Sequence, residues 1–301
     1  MVGLRLLVRG AVVFAVALLP AVISRPAGGE EALDGHKVQV GVVRSLFPDT
    51  PDGFIPIRVR PFKALLDAQS GLESQIRVSG TAQDLARELS EGKVQLGVFH
   101  GIEYGWVRQK FPRLQPLVVA VPRKELRAAL VVRKDSAVRN IEDLKGKTVA
   151  LPCQSREHCR IFLHSLCRGC GDEPERFFQL TKPANFEQAL AFVLSGRVQG
   201  AVLDAVLLDW YHERQPERFA QLKVVQESPA FPGGVIVYCP NRLSEGQRER
   251  IRDGLLAANK NSEGVHVLDL CQISHFEQAP KDYDRSLTAI IKEYPQEDGS
   301  R

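Results

Sequence analysis

The sequence has little excess of either charge. Its 40 basic and 36 acidic residues leave a formal net charge of +4 over 301 residues. The two signs are mixed along the chain, so no basic face suited to nucleic acid is expected. The best basic cluster, Arg123, Lys124 and Arg127, lacks interleaved aromatics and reads as a solvated loop. Long apolar runs are also missing beyond the N-terminus, so no later segment is expected to span a bilayer. Catalytic signatures are absent: there is no Gly-x-Ser-x-Gly, no glycine-rich phosphate loop and no His-Glu-x-x-His. Nothing points to an enzyme, and no cofactor is expected.

The apolar run that does exist, Ala11 to Ile23, follows Arg5 and Arg9. It fits the ~7–15 residues of a signal-peptide core and falls short of the ~20 needed to cross a membrane. Val22 and Ser24 are small enough for the minus-three and minus-one sites of a cut after Ser24. Residues 1–24 are therefore read as a signal peptide and the mature chain as periplasmic or otherwise extracytoplasmic. Left uncleaved, the same segment would tether the protein to the membrane. No cysteine adjoins the run, which argues against a lipoprotein anchor.

An exported chain with six cysteines suggests disulfides. The candidates are Cys153, Cys159, Cys167, Cys170, Cys239 and Cys271. Four of them crowd together with two histidines, so a metal site built from His158, Cys159, His164, Cys167 and Cys170 is the alternative. The spacing is not that of a zinc ribbon, because a second Cys-x-x-Cys pair is missing. No thioredoxin-like strand precedes Cys167 and Cys170 either.

The rest of the chain alternates short β-branched runs with segments of helical spacing. Strands are expected at Val38–Val43, Leu96–Phe99, Leu117–Val121, Ala128–Val132, Thr148–Leu151, Ala201–Leu203, Lys223–Val225 and Val235–Tyr238. Helical spacing marks Pro61–Ala68, Ala82–Leu89, Phe186–Leu194 and Glu245–Ala258. Such alternation predicts an α/β protein with mixed, mostly parallel sheets. An internal echo sharpens this. Gly92-Lys-Val-Gln-Leu-Gly-Val-Phe-His100 aligns without a gap with Gly196-Arg-Val-Gln-Gly-Ala-Val-Leu-Asp204, and Trp106 falls opposite Trp210. One super-secondary unit thus recurs in each of two similar lobes. It puts His100 and Asp204 at the C-terminal ends of central strands, where open α/β sheets bind ligands. Two stretches, 122–134 and 227–238, read as crossings that make a two-strand hinge. Lobe one is expected over residues 37–127 and 236–294, lobe two over 128–235, and a flexible tail over 295–301.

At this level the chain resembles the substrate-binding proteins of phosphate, phosphite and phosphonate ABC transporters, which have the type 2 periplasmic-binding fold. The similarity lies in Val40-Gly-Val-Val-Arg-Ser45, in Glu91–His100 leading to Tyr104, in Val131–Ser136 followed by Ile141-Glu-Asp-Leu-Lys-Gly-Lys-Thr-Val-Ala150, and in Glu227-Ser-Pro229. The resemblance implies a monomer that captures a small phosphorus oxyanion and passes it to an ABC permease or a membrane sensor. It implies a ligand set from the turn after Asp-Leu-Lys-Gly-Lys, here Gln154, Ser155, Arg156, Glu157 and His158, with Arg44, Ser45, His100, Tyr104 and Asp204. The family's Ser/Thr-rich turn is replaced here by Pro152-Cys-Gln-Ser-Arg-Glu-His-Cys159. Ser155 stands where an N-cap belongs, so that the helix amides behind it would face an anion. An Asp at position 204 would accept a bond from a protonated oxyanion or hold an amine. The alternative function is an extracytoplasmic metal-binding, redox or sensor protein using the 153–170 segment.

Overall fold

The computed structural model describes residues 36–296. The signal-peptide reading and most of the 295–301 tail lie outside these residues. The first part of the chain runs β1 (Lys37–Val43), α1 (Ile55–Ser70), β2 (Glu73–Ser79), α2 (Ala82–Glu91), β3 (Leu96–Phe99), α3 (Gly101–Lys110) and β4 (Gln115–Pro122). A second block follows: β5 (Ala128–Arg133), β6 (Thr148–Ala150), α4 (Glu157–Gly169), α5 (Pro174–Phe177), β7 (Gln179–Thr181), α6 (Phe186–Leu194), β8 (Gly200–Asp204), α7 (Ala205–Arg214), α8 (Pro216–Phe219) and β9 (Leu222–Glu227). The chain then returns through β10 (Val235–Tyr238), α9 (Glu245–Leu256), α10 (Ser262–Leu270), β11 (Ile273–Glu277) and α11 (Tyr283–Glu293).

These strands make two mixed sheets. One has the order β11-β4-β10-β3-β1-β2 and the other β7-β6-β8-β5-β9. In the first, β1 pairs in parallel with β2 and β3, while β10 joins β3 and β4 antiparallel. In the second, β6 is parallel to β7 and β8, and β5 lies antiparallel between β8 and β9. Parallel pairs thus come from the βαβ units, and antiparallel pairs from strands that enter or leave a lobe. Two segments cross between the sheets, β4 to β5 and β9 to β10. An antiparallel bridge joins them, Phe231 donating its amide to the Leu126 carbonyl at 2.8 Å.

The echoed units fold alike down to single hydrogen bonds. α2 opens on a capping box in which Thr81 and Asp84 satisfy each other's amides, and α6 opens on Asn185, whose side chain accepts from the Gln188 amide. Each helix is followed by a left-handed glycine, Gly92 at φ +81° and Gly196 at φ +74°, a conformation that favours glycine. Gln95 and Gln199 then do the same work. Gln95 Oε1 accepts from the Gln39 amide at 2.7 Å and its Nε2 donates to Gly92 O at 3.4 Å. Gln199 Oε1 accepts from the Thr148 amide at 3.1 Å and its Nε2 donates to Gly196 O at 3.5 Å. In both lobes this pins the central strand to its neighbour and leaves the residue at the strand's end, His100 just past β3 and Asp204 the last of β8, as a helix N-cap.

Each sheet is covered on both faces, as near-continuous apolar strands require. Val38, Val40 and Leu96 face a core shared with Leu65, Leu66 and Ile251. Phe99, Val119 and Val237 face the other side, with Leu85 and Leu89. In the second sheet, Leu130, Val149 and Val202 pack on Phe162, Leu163 and Leu166 of α4, and Val131 and Leu203 on Ala189 and Leu190 of α6. The last helix joins the two lobes: Tyr283 and Leu287 belong to a core of the first, and Ile290, Ile291 and Tyr294 to the core under α4.

Candidate functional site

Residues at or after the ends of β1, β3, β6 and β8 come together: Ser45, His100, Arg156, His158 and Asp204. His100 caps α3, and its amide donates to Glu103 Oε2 at 3.4 Å. Asp204 caps α7, with Oδ1 accepting from the Val206 amide at 2.8 Å. The free Oδ2 lies 3.5 Å from Nε of Arg156 and 3.5 Å from Nε2 of His158. Asp204 and His158 are both buried. His100 Nε2, His158 Nε2 and Asp204 Oδ2 are all enclosed and have no hydrogen-bond partner. Buried polar atoms are nearly always satisfied, so three orphans in one place call for an explanation.

The tautomers follow from the remaining bonds. His100 donates to the Ser45 carbonyl and His158 to that of Arg127. With Nε2 free in both rings, these donors are the Nδ1–H groups, and each neutral ring presents a bare lone pair at Nε2. Burial holds both imidazoles below their ordinary range. His158 falls to about 4 although Asp204 pulls the other way, and His100 is lowered although Glu157 and the Ser45 bond oppose it. At neutral pH the site therefore combines three acceptor atoms with one neighbouring cation, Arg156.

Glu103 lies just behind. It accepts from Ser45 Oγ at 2.7 Å, and burial raises it to about 7 in spite of its bonds from Ser45 and the His100 amide. Neither Glu103 nor the cross-cleft contact at Asp49 was singled out from sequence. Asp49 accepts from the Gln154 amide at 2.9 Å and pairs with Arg160 of α4. Arg58 Nη2 of α1 adds a bond to Gln154 Oε1 at 3.3 Å. Gln154 itself sits at φ +60°. A positive φ at a non-glycine residue in the turn after β6 is a feature that composition does not announce.

Of the residues expected from sequence, the structure gathers His100, Arg156, His158 and Asp204, with Ser45 and Gln154 at the border. Three expectations need correction. Tyr104 is wholly buried, stacks on Tyr283 and donates its hydroxyl to Leu114 O at 3.2 Å, because three residues into α3 the side chain turns under the sheet. Arg44 is spent on its own loop: it donates to the Phe47 and Thr50 carbonyls and pairs with Asp52 at 3.4 Å. Ser155 is not the cap of α4. Arg156 holds that position, and Ser155 Oγ donates back to Pro152 O at 2.7 Å. Glu157 opens the helix as its first-turn acid.

The cysteine expectations are also corrected. All six cysteines are free thiols. Cys159 and Cys167 lie on one helix eight residues apart, about 12 Å along its axis, well beyond disulfide reach. Both are buried in the core under α4. Cys153 donates to Lys182 O at 3.7 Å, Cys170 to Glu142 Oε1 at 3.7 Å, and Cys239 is buried in the other lobe. Among the described residues no group of three or more His, Cys, Asp or Glu side chains gathers to hold a metal ion. His158 turns to the cleft and His164 to Glu173, at 3.5 Å, so the residues proposed for a metal point apart.

The sequence profile described as "ABC transporter, phosphonate, periplasmic substrate-binding protein" matches residues 46–283. The chain belongs to this family. The family is one of substrate binding for transport, works with ABC permeases and acts outside the cytoplasm. Among the described residues no helix is long and apolar enough to cross a membrane. Solved structures share the fold at low identity. A binding-protein component of an ABC phosphonate transporter from Pseudomonas aeruginosa is 19% identical with a TM-score of 0.58, covering 86% of this chain and 87% of its own. PhnD1 from Prochlorococcus marinus, solved in complex with methylphosphonate, is 18% identical with a TM-score of 0.59, covering 86% and 98%. A Xanthomonas citri protein solved with ATP is 16% identical with a TM-score of 0.60, covering 86% and 97%. No curated protein matches the sequence.

Proposed function

We propose that this family member captures a small phosphorus oxyanion, namely phosphate, phosphite or a phosphonate, in the cleft at His100, Arg156, His158 and Asp204, and hands it to an ABC importer. The observation that carries the reading is the meeting of one cation with three buried acceptors that lack hydrogen bonds, at the strand ends. Arg156 supplies the charge-assisted donor that an anion needs. Bare imidazole lone pairs and a carboxylate would repel a dianion, so the ligand enters as the monoprotonated form, its P–OH donating to Asp204 or a histidine. Alternatively a histidine takes up a proton as the anion arrives, since a nearby negative charge favours the imidazolium. Above the ligand's second ionisation either route takes up one proton with the ligand.

The amides that open α4 add the positive end of a helix dipole beside Arg156. The two crossings, 123–127 and 228–234, are the segments about which the lobes would close, and this is the role we assign to them. A native mass spectrum of freshly purified protein tests the assignment. A phosphorus-containing adduct, released on denaturation, is the expected result. Protein that carries no such adduct and takes none up from millimolar phosphate, phosphite or methylphosphonate contradicts it.

A further inference from the structure

The cavity that holds His100, Arg156 and His158 at one end continues as an apolar chamber. The whole cavity, polar end included, has a volume of about 350 Å³. Val42, Val98 and Ile236 line it from the first sheet, Val59 and Phe62 from α1, and Leu126 from a crossing segment. Along β1 the residues Val38, Val40 and Val42 fall on one face by the strand period of two, and Leu96 and Val98 continue that face on β3. Val38, Val40 and Leu96 are covered by helices and wholly buried. Beyond them the cover stops, and Val98 and Phe62 remain only half-buried at the chamber wall.

Protein interiors are packed to crystal density and leave few voids larger than a water. An apolar cavity of ~150 Å³ already accepts a benzene ring, and small-molecule sites start near ~300 Å³. A bare phosphate or a methylphosphonate would occupy the polar end and leave most of the apolar wall bare. Resting on the reading of the polar end given above, we infer that the physiological ligand is a phosphonate whose carbon substituent is apolar and larger than methyl, a short alkyl chain or an aromatic ring, seated in this chamber. The two ends divide the work: the charged head fixes orientation at Arg156 and the histidines, and the substituent supplies affinity by leaving water. Among the described residues the lining holds no acidic side chain to bind an amine, and Arg58, its cation outside the polar end, gives Nη2 to Gln154 Oε1 at 3.3 Å.

The test is a calorimetric series of methyl-, ethyl-, butyl- and phenylphosphonate on the full-length secreted protein. A buried methylene is worth ~0.8 kcal/mol, about a fourfold gain in affinity. With some loss to ordering the chain, butylphosphonate should bind at least about tenfold tighter than methylphosphonate, and phenylphosphonate should show a comparable gain. Val98→Phe, which fills the chamber from the sheet, should remove that gain and leave methylphosphonate within about threefold of the parent. Val59→Phe does the same from the more tolerant helix side, should the sheet variant fail to fold. Methylphosphonate binding with no gain for the longer ligands overturns the chamber assignment and leaves the oxyanion site standing. A gain that survives both substitutions overturns it as well. Failure of every phosphonate to bind overturns the oxyanion reading itself, and the chamber assignment with it.

Discussion

His158 Nε2 faces Asp204 Oδ2 at 3.5 Å; neither atom has a hydrogen bond, and the carboxylate's other neighbour is the Arg156 guanidinium, also at 3.5 Å. Two groups that could form a full ion pair are instead left one step short of it. Burial keeps the ring neutral, near a pKa of 4, so at neutral pH the carboxylate faces a lone pair. Arg156 offsets the carboxylate's charge, and a proton placed between ring and carboxylate would supply the missing hydrogen bond.

The pH dependence of stability follows. His158 titrates near 4 in the fold and near 6.5 when unfolded, so the unfolded chain binds more protons between those values. Its contribution is fully present above pH 6.5 and declines as pH falls toward 4. Glu103 acts in the opposite sense. It titrates near 7 in the fold and near 4.5 when unfolded, so its contribution is fully present below pH 4.5 and lost as pH rises through 7. Each group alone gives a slope of up to about 1.4 kcal/mol per pH unit. Urea unfolding at pH 4.5, 5.5 and 6.5 should show Glu103→Gln rising more steeply with pH than the parent, and His158→Gln rising less. Identical slopes in all three proteins contradict the burial argument.

Asp204→Ala should separate ligand protonation states. Losing an acceptor for the ligand's P–OH weakens a monoprotonated ligand by about ten- to a hundredfold, since a hydrogen bond to a charged group is worth ~1.5–3 kcal/mol. The same change relieves repulsion of a dianion. Calorimetry on either side of the ligand's second ionisation should therefore show the variant losing more at the lower pH. A loss equal at both values would mean that Asp204 serves only as the cap of α7.

The Asp49 contact predicts a conformational effect. Its carboxyl is held below the usual carboxylate range: burial works against this, but the Gln154 amide and Arg160 outweigh it. The contact ties the loop after β1 to the second lobe. Both side chains are partly open to water, so its worth is near 1 kcal/mol. Asp49→Ala should widen the ligand-free protein in small-angle scattering and weaken the ligand by about fivefold. The liganded form should keep the parent dimensions. An unchanged ligand-free scattering profile contradicts the contact's role in closure.

The thiols make a separate prediction. Burial pushes Cys167 up to about 12 and raises Cys159 well above its ordinary range. Titration without reductant should find slow labelling of Cys159, Cys167 and Cys239 in the native protein and six reactive thiols after denaturation. Fewer than six would mean that disulfides form after all.

Much of this architecture is legible in the residues. The eight strands expected from sequence all lie where β structure forms, because each carries a short apolar or β-branched run suited to a sheet. The three that were missed, β2, β7 and β11, are all edge strands. Glu-Ser-Gln-Ile-Arg-Val-Ser reads as polar since only one side of β2 has a neighbour, and edges favour charge. The echo located His100 and Asp204 because a strand of fixed length ends at a fixed place. The family resemblance, which supplied Tyr104 and Arg44, failed there, because their side-chain directions depend on tertiary packing and on loop closure. Glu103 and Asp49 stayed invisible for the same reason: a lone acidic residue carries no signal until its long-range partner is known. The apolar chamber is a space left between elements, and no pattern of residues marks a gap.

The most direct test is a calorimetric titration of methylphosphonate into the parent protein and into His100→Ala and Arg156→Ala. The account predicts one site per chain in the parent, uptake of about one proton on binding at a pH above the ligand's second ionisation when buffers of different ionisation heat are compared, and at least tenfold weaker binding in both variants. Binding that is unchanged in both variants, or a parent that binds no phosphonate, would contradict it.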